Sequence, residues 1–176
     1  MFGVKDGFLL LYLAVLGACV LAVIIALIFA LVSSVKSSSY KRLRIIIISF
    51  CSIIIAAFAW VLNFGWLRVF LTVLLIPVIH GVIYFISNVN FSKYTEESSK
   101  VNKLNIIYIV TYLSSYLLLS DGSGNGELYF FFGLIKNNVL SSIADYVSGI
   151  SVLAHIVFFF ILIFECKKLK KNKSDN

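Results

Sequence analysis

Only two histidines occur in the chain, His80 and His155, and both fall inside long apolar runs. An ionisable side chain at membrane depth is costly and calls for a partner or a task. Ser141, Asp145, Ser148, Val152 and His155 recur at three- and four-residue steps, which places them on one helix face, with Ser151 at its border. Thr72, Ile76, His80, Tyr84 and Ser87 do the same in an earlier run, as do Asn105, Tyr108, Tyr112 and Ser115 in another. Ser49, Ser52 and Asn63 mark a further run. Bundled with these faces inward, such helices enclose a polar interior.

Four chemistries suit these residue types. Two neutral imidazoles at similar depth can ligate a haem iron. Asp145 with His80 and His155 can pass a proton or cation inward. The stripes can recognise a partner's transmembrane helix, or they can bind the chain's own helices together at about 0.6–2 kcal/mol per bond. Asp145, Ser148, Ser151 and His155 also have the residue types of a hydrolase. They share one helix, however, and no GxSxG surrounds either serine. A nucleophile, its base and an oxyanion pocket rarely come from one helix. No catalytic residue, metal site or cofactor is therefore expected, and haem through His80 and His155 is the alternative.

The elements that position these residues follow from composition. The chain has 176 residues, 61% of them hydrophobic and only 13% charged, with a mean hydropathy of +1.02. A soluble domain of this size cannot hide so much apolar surface. Spanning a bilayer takes about 20 apolar residues. Runs of that kind cover about 8–32, 45–62, 67–87, 104–120 and 139–164. They are continuously apolar instead of alternating, so they read as helices and not barrel strands. The expected fold is an all-α integral membrane protein, a bundle of about five transmembrane helices over residues 1–166, followed by a basic tail at 167–176 that is expected to be disordered beyond the membrane edge. The first run is too long for the core of a cleavable signal peptide.

Twelve of the fifteen Lys and Arg residues cluster in three places. Lys36, Lys41, Arg42 and Arg44 follow the first run; Lys93, Lys100 and Lys103 follow the third; Lys167, Lys168, Lys170, Lys171 and Lys173 follow the last. Five spans put all three clusters on one face, which the positive-inside rule assigns to the cytoplasm. The N-terminus is then outside and the protein sits in a plasma membrane (the inner membrane in a bacterium). The net charge of +7 lies beside the apolar runs, so it reads as an orientation and lipid-contact signal, not as a nucleic-acid footprint. Cys19, Cys51 and Cys166 form no CxxC pair.

Three further features concern packing and partners. Ala14, Ala18, Ala22, Ala26 and Ala30 repeat every four residues, a row that lets helix backbones approach closely, within the chain or in a dimer. Pro77, inside the third run, predicts a kink that frees the Val73 carbonyl. The stretch from Asp121 to Ile135 reads as a flexible glycine-rich turn and then an aromatic patch containing Tyr129 and Phe131. That patch is too short to span, so it is expected to lie in the outer interface or to re-enter the bilayer. Asp121, Glu127 and Asp145 are expected to make this mouth mildly acidic. The expected function is non-enzymatic: binding another membrane component, as accessory, immunity or exclusion proteins do. The partner would be the bilayer together with another membrane protein or a second copy. The alternative is a small transporter or channel-like protein moving a proton, cation or small solute.

Overall fold

A computed structural model describes residues 40–63, 65–122 and 127–174. The first apolar run, its alanine row (Ala14 to Ala30) and the expected external N-terminus lie outside these residues. The described chain is mostly helical. Helix α1 covers Tyr40–Leu62, α2 Trp66–Val73 and α3 Ile76–Phe91, which runs into a short 3-10 turn at Ser92–Tyr94. Helix α4 covers Ser99–Leu117 and α5 Asn138–Ser174.

Helices α1 and α5, of 23 and 37 residues, are long and apolar enough to cross a membrane. The pair α2 and α3 qualifies as a third span if taken together, but it bends by 68°. Helix α4 is less apolar, because Asn102, Asn105 and three tyrosines replace aliphatic residues. It nevertheless packs between α1 and α5, with Val101, Tyr108, Ile109 and Tyr112 buried. Much of the outward surface is aliphatic, including Ile47, Ile83, Val110, Ile150 and Leu153. Apolar patches on that scale suit a lipid solvent.

The helices alternate in direction. Arg68 and Thr72 of α2 bond to Ala59 and Trp60 near the end of α1, and Arg68 also reaches Tyr116 and Leu119 at the end of α4. At the opposite end Lys100, near the start of α4, pairs with Glu165 late in α5. Lys173 pairs with Glu97 at 2.7 Å. The start of α1 with Lys41, Arg42 and Arg44, the loop between α3 and α4, and the end of α5 therefore share one end of the bundle, hereafter the basic end.

Three expectations need correction. Pro77 does not kink a continuous helix. The chain breaks at Leu74 and Leu75, where Leu75 takes a left-handed conformation (φ 57°), and Pro77 falls in the first turn of α3. A missing N–H costs nothing there, so the proline opens a helix. The tail is not disordered beyond the membrane edge, since α5 continues to Ser174 and the Lys173–Glu97 pair holds it. The stretch from Asp121 to Ile135 holds more than an aromatic patch, while most of its glycine-rich turn, 123–126, lies outside the described residues. It contains a three-stranded antiparallel sheet of β1 (Asp121–Gly122), β2 (Leu128–Phe130) and β3 (Ile135–Lys136). Tyr129 pairs with both Asp121 and Lys136 in register.

Candidate functional site in the bundle interior

The interior is an aromatic column assembled from three helices. Helix α4 supplies Tyr108, Tyr112 and Tyr116 at four-residue steps, so the three rings line one face. Helix α3 brings His80 and Tyr84, and α5 brings His155 and Phe159. Tyr84 stacks on Tyr112 with 3.7 Å between centroids, and Tyr108 stacks on His155 at 4.0 Å. His80 and His155 meet edge to face at 5.0 Å, which realises their matched depth. Aromatic pairs of this kind contribute about 0.5–1.5 kcal/mol each beyond burial.

Hydrogen bonds fix both histidines. His80 Nδ1 lies 2.9 Å from the Tyr116 hydroxyl. His155 Nδ1 lies 3.1 Å from the Tyr108 carbonyl, an acceptor, so this nitrogen carries the proton and donates. Thr111 Oγ1, which donates to the same carbonyl at 3.0 Å, is 3.4 Å from that nitrogen. With the rings in edge contact, a porphyrin between them would require the helices to separate.

The other residues of the polar stripes divide. Asp145 lies ten residues before His155 on α5, about 15 Å along the axis. Its carboxylate instead accepts the Ser120 N–H at 2.7 Å and the Ser120 hydroxyl at 2.6 Å. Ser148 donates to the Ser115 carbonyl at 2.9 Å, and Ser151 to the Val147 carbonyl at 2.8 Å. Neither hydroxyl is held by a histidine. Thr72 also stands apart from His80; it donates to the Arg68 carbonyl at 2.6 Å and accepts from the Trp60 indole N–H at 2.8 Å. Among the described residues no three His, Cys, Asp or Glu side chains gather as a metal site.

Arg68 is the residue that sequence reasoning missed. It stands at the start of the third apolar run, outside the three basic clusters, and it is fully buried. Its guanidinium donates to the carbonyls of Ala59 at 2.8 Å, Tyr116 and Leu119, and lies 4.9 Å above the Trp60 ring. Its backbone N–H, at the third position of α2, donates to Asp121 Oδ2 at 2.9 Å. Asp121 thus caps α2 from a distant part of the chain, a favourable place for a carboxylate. Gly65 makes this possible, because a Cβ there would collide with the Asp121 carboxylate. The expected acidic mouth is accordingly used internally: Asp121 is buried, Asp145 is engaged with Ser120, and Glu127 alone of the three is exposed. Tyr129 has its phenol pKa raised, first by burial and then by the Asp121 charge. The signal available in the sequence was that Arg68 is one of three basic residues outside the clusters.

The turn between β2 and β3 has its own geometry. Phe131, Phe132 and Gly133 all have positive φ, at 51°, 62° and 73°. The Phe131 N–H donates to the Leu117 carbonyl at 3.1 Å, which pins the turn to the end of α4. A Cβ at Gly133 would lie 3.1 Å from the Leu62 carbonyl, so the turn also sits tightly on α1. Phe130 is buried, Phe131 is 39% exposed and Leu134 is 75% exposed. No family model, curated protein or solved structure matches the chain.

Proposed function

We propose that this chain is a non-enzymatic plasma-membrane protein of five spans that acts by binding another membrane component through its outer aromatic turn. In this reading α2 with α3 is one broken span, α4 is another, and the first apolar run supplies the fifth. The basic end faces the cytoplasm by the positive-inside rule, and the N-terminus lies outside. The observation that carries the proposal is the turn at Phe131 and Phe132. Bulky residues at positive φ cost about 1–3 kcal/mol each, and such strain concentrates at functional positions. Glycine or asparagine would relieve it, yet the chain holds two aromatic residues there, Phe131 exposed and Phe132 half-buried.

The engaged interior supports the same reading. Asp145, His80 and His155, the groups a transport path would use, each have a fixed internal hydrogen-bond partner. Mild-detergent purification from native membranes, with mass spectrometry of what accompanies the chain, tests the proposal. Wild type is expected to bring a stoichiometric protein partner and Phe131→Asn to lose it. A chain that purifies alone, or a partner indifferent to Phe131, contradicts the proposal.

A second reading, a small transporter or channel-like protein, is favoured by one observation. Asn88 Oδ1 and both amide atoms of Asn105 are buried without a hydrogen-bond partner among the described residues. Buried polar atoms of this kind are uncommon in native proteins. Proton or cation flux into liposomes that disappears in the His80→Ala and His155→Ala variants would favour this reading over the first.

A further inference from the structure

At the basic end, a groove of about 310 Å³ opens between α3 with its following turn and the last part of α5. Its volume is at the lower end of the roughly 300–1,000 Å³ typical of small-molecule pockets. Phe91 and Tyr94 line one side, Phe159 and Ile163 the other, and Lys167 and Lys170 also border it. On α5, Phe159, Ile163 and Lys170 share a face by their spacing, with Lys167 one turn beyond Ile163. The lining therefore changes from aromatic to cationic over the about 16 Å from Phe159 to Lys170. Phe159 lies against Phe91 and Tyr108 at 6.2 and 6.3 Å between centroids, so the apolar part is built on the core.

Position and pairing together single out Lys167 and Lys170: Lys168 and Lys171 are also without an ion pair among the described residues but do not border the groove. Lys100 and Lys173 are committed to Glu165 and Glu97. Lys167 and Lys170 are exposed and form no ion pair among the described residues. An apolar slot ending in two ammonium groups complements an amphiphile with an anionic head. Basic pockets between helices on the cytoplasmic side are suited to such headgroups.

We propose that this groove binds one anionic phospholipid, with an acyl chain along Phe91, Tyr94, Phe159 and Ile163 and the phosphate between Lys167 and Lys170. The complex is non-covalent. Cys166 also lines the groove, but burial, with help from Glu165, pushes its thiol up to about 11, so little nucleophilic thiolate exists at neutral pH. The inference rests on the chain lying in a bilayer with its basic end at headgroup level, and not on the partner proposed for the outer turn.

The test uses the full chain in nanodiscs of phosphatidylcholine containing a minority of phosphatidylglycerol. Native mass spectrometry counts the lipids retained after release. Wild type is expected to keep one phosphatidylglycerol in preference to phosphatidylcholine. Lys167→Gln with Lys170→Gln is expected to lose that preference by about thirtyfold, from the usual contribution of two lysines. Lys168→Gln with Lys171→Gln removes the same charge on the same helix and is expected to retain it. Equal loss in both double variants would show diffuse surface attraction and overturn the proposal. So would equal retention of the two lipids by wild type, or displacement of the bound lipid by millimolar inorganic phosphate, which lacks the chain.

Discussion

Arg68 and Asp121 show how a charge can enter this bundle. The guanidinium reaches three backbone carbonyls at the ends of α1 and α4 and also covers Trp60. Arg68→Met would leave those acceptors buried, so a loss of about 1.5–3 kcal/mol per charge-assisted bond is expected. Unfolding titrations in mixed micelles measure it, and an unchanged midpoint would remove Arg68 from its structural role. Asp121→Ala is expected to destabilise less, by about 1–2 kcal/mol, the usual cost of a lost helix cap. Cys166 offers a pH-dependent readout. Its thiol is shifted from 9.0 to about 11, so its thiolate fraction at neutral pH is about one hundredth of an unshifted thiol's. Alkylation of Cys166 by a water-soluble reagent is expected to be slow at pH 7 and to rise about tenfold per pH unit below that pKa. A fast, pH-independent reaction would contradict this environment. The sequence displayed the stripes that hold His80, Tyr84, Tyr108 and His155, because helical spacing alone sorts them onto faces. It could not display the partners of Arg68 and Asp145. Those bonds join residues 53 and 25 positions apart, and they exist only once the helices are aligned.

At the scale of elements, two breaks shape the molecule. The left-handed Leu75 separates α2 from α3, and the strained turn at Phe131–Gly133 closes the small sheet onto α1 and α4. Both were hard to foresee for the same reason. Leu75, Phe131 and Phe132 are residues that sterics keep away from positive φ, so only tertiary contacts select that conformation. Pro77 signalled a disturbance correctly but not its form. Phe131→Asn is expected to fold at least as stably as wild type, gaining up to about 1 kcal/mol, since asparagine tolerates this region. Gly133→Ala goes the other way, because its φ of 73° disfavours a side chain and the Leu62 carbonyl is 3.1 Å from the added carbon. A destabilisation of about 1–2 kcal/mol is expected, read by the same micelle titration. Similar stability in these two variants would mean that the turn is not seated on α1.

At the scale of the whole molecule, many polar side chains and the tyrosine–histidine column turn inward while apolar residues cover much of the outside. Hydropathy made α1 and α5 legible from the sequence. It read α4 less clearly, because a helix that packs among its neighbours can carry asparagine and tyrosine without facing lipid. The interior histidines are held by hydrogen bonds and ring contacts, so the bundle is expected to stay closed to ions; proteoliposomes should show no flux above empty vesicles. The binding surface proposed is the outer turn, and it can be tested in place. A photo-crosslinking amino acid is put at Leu134, 75% exposed beside the strained phenylalanines, and separately at Ile150, 66% exposed on the flank of α5. After illumination of native membranes, the account predicts a discrete protein adduct from Leu134 that Phe131→Asn abolishes, and lipid adducts alone from Ile150. Lipid adducts alone from both positions would contradict it.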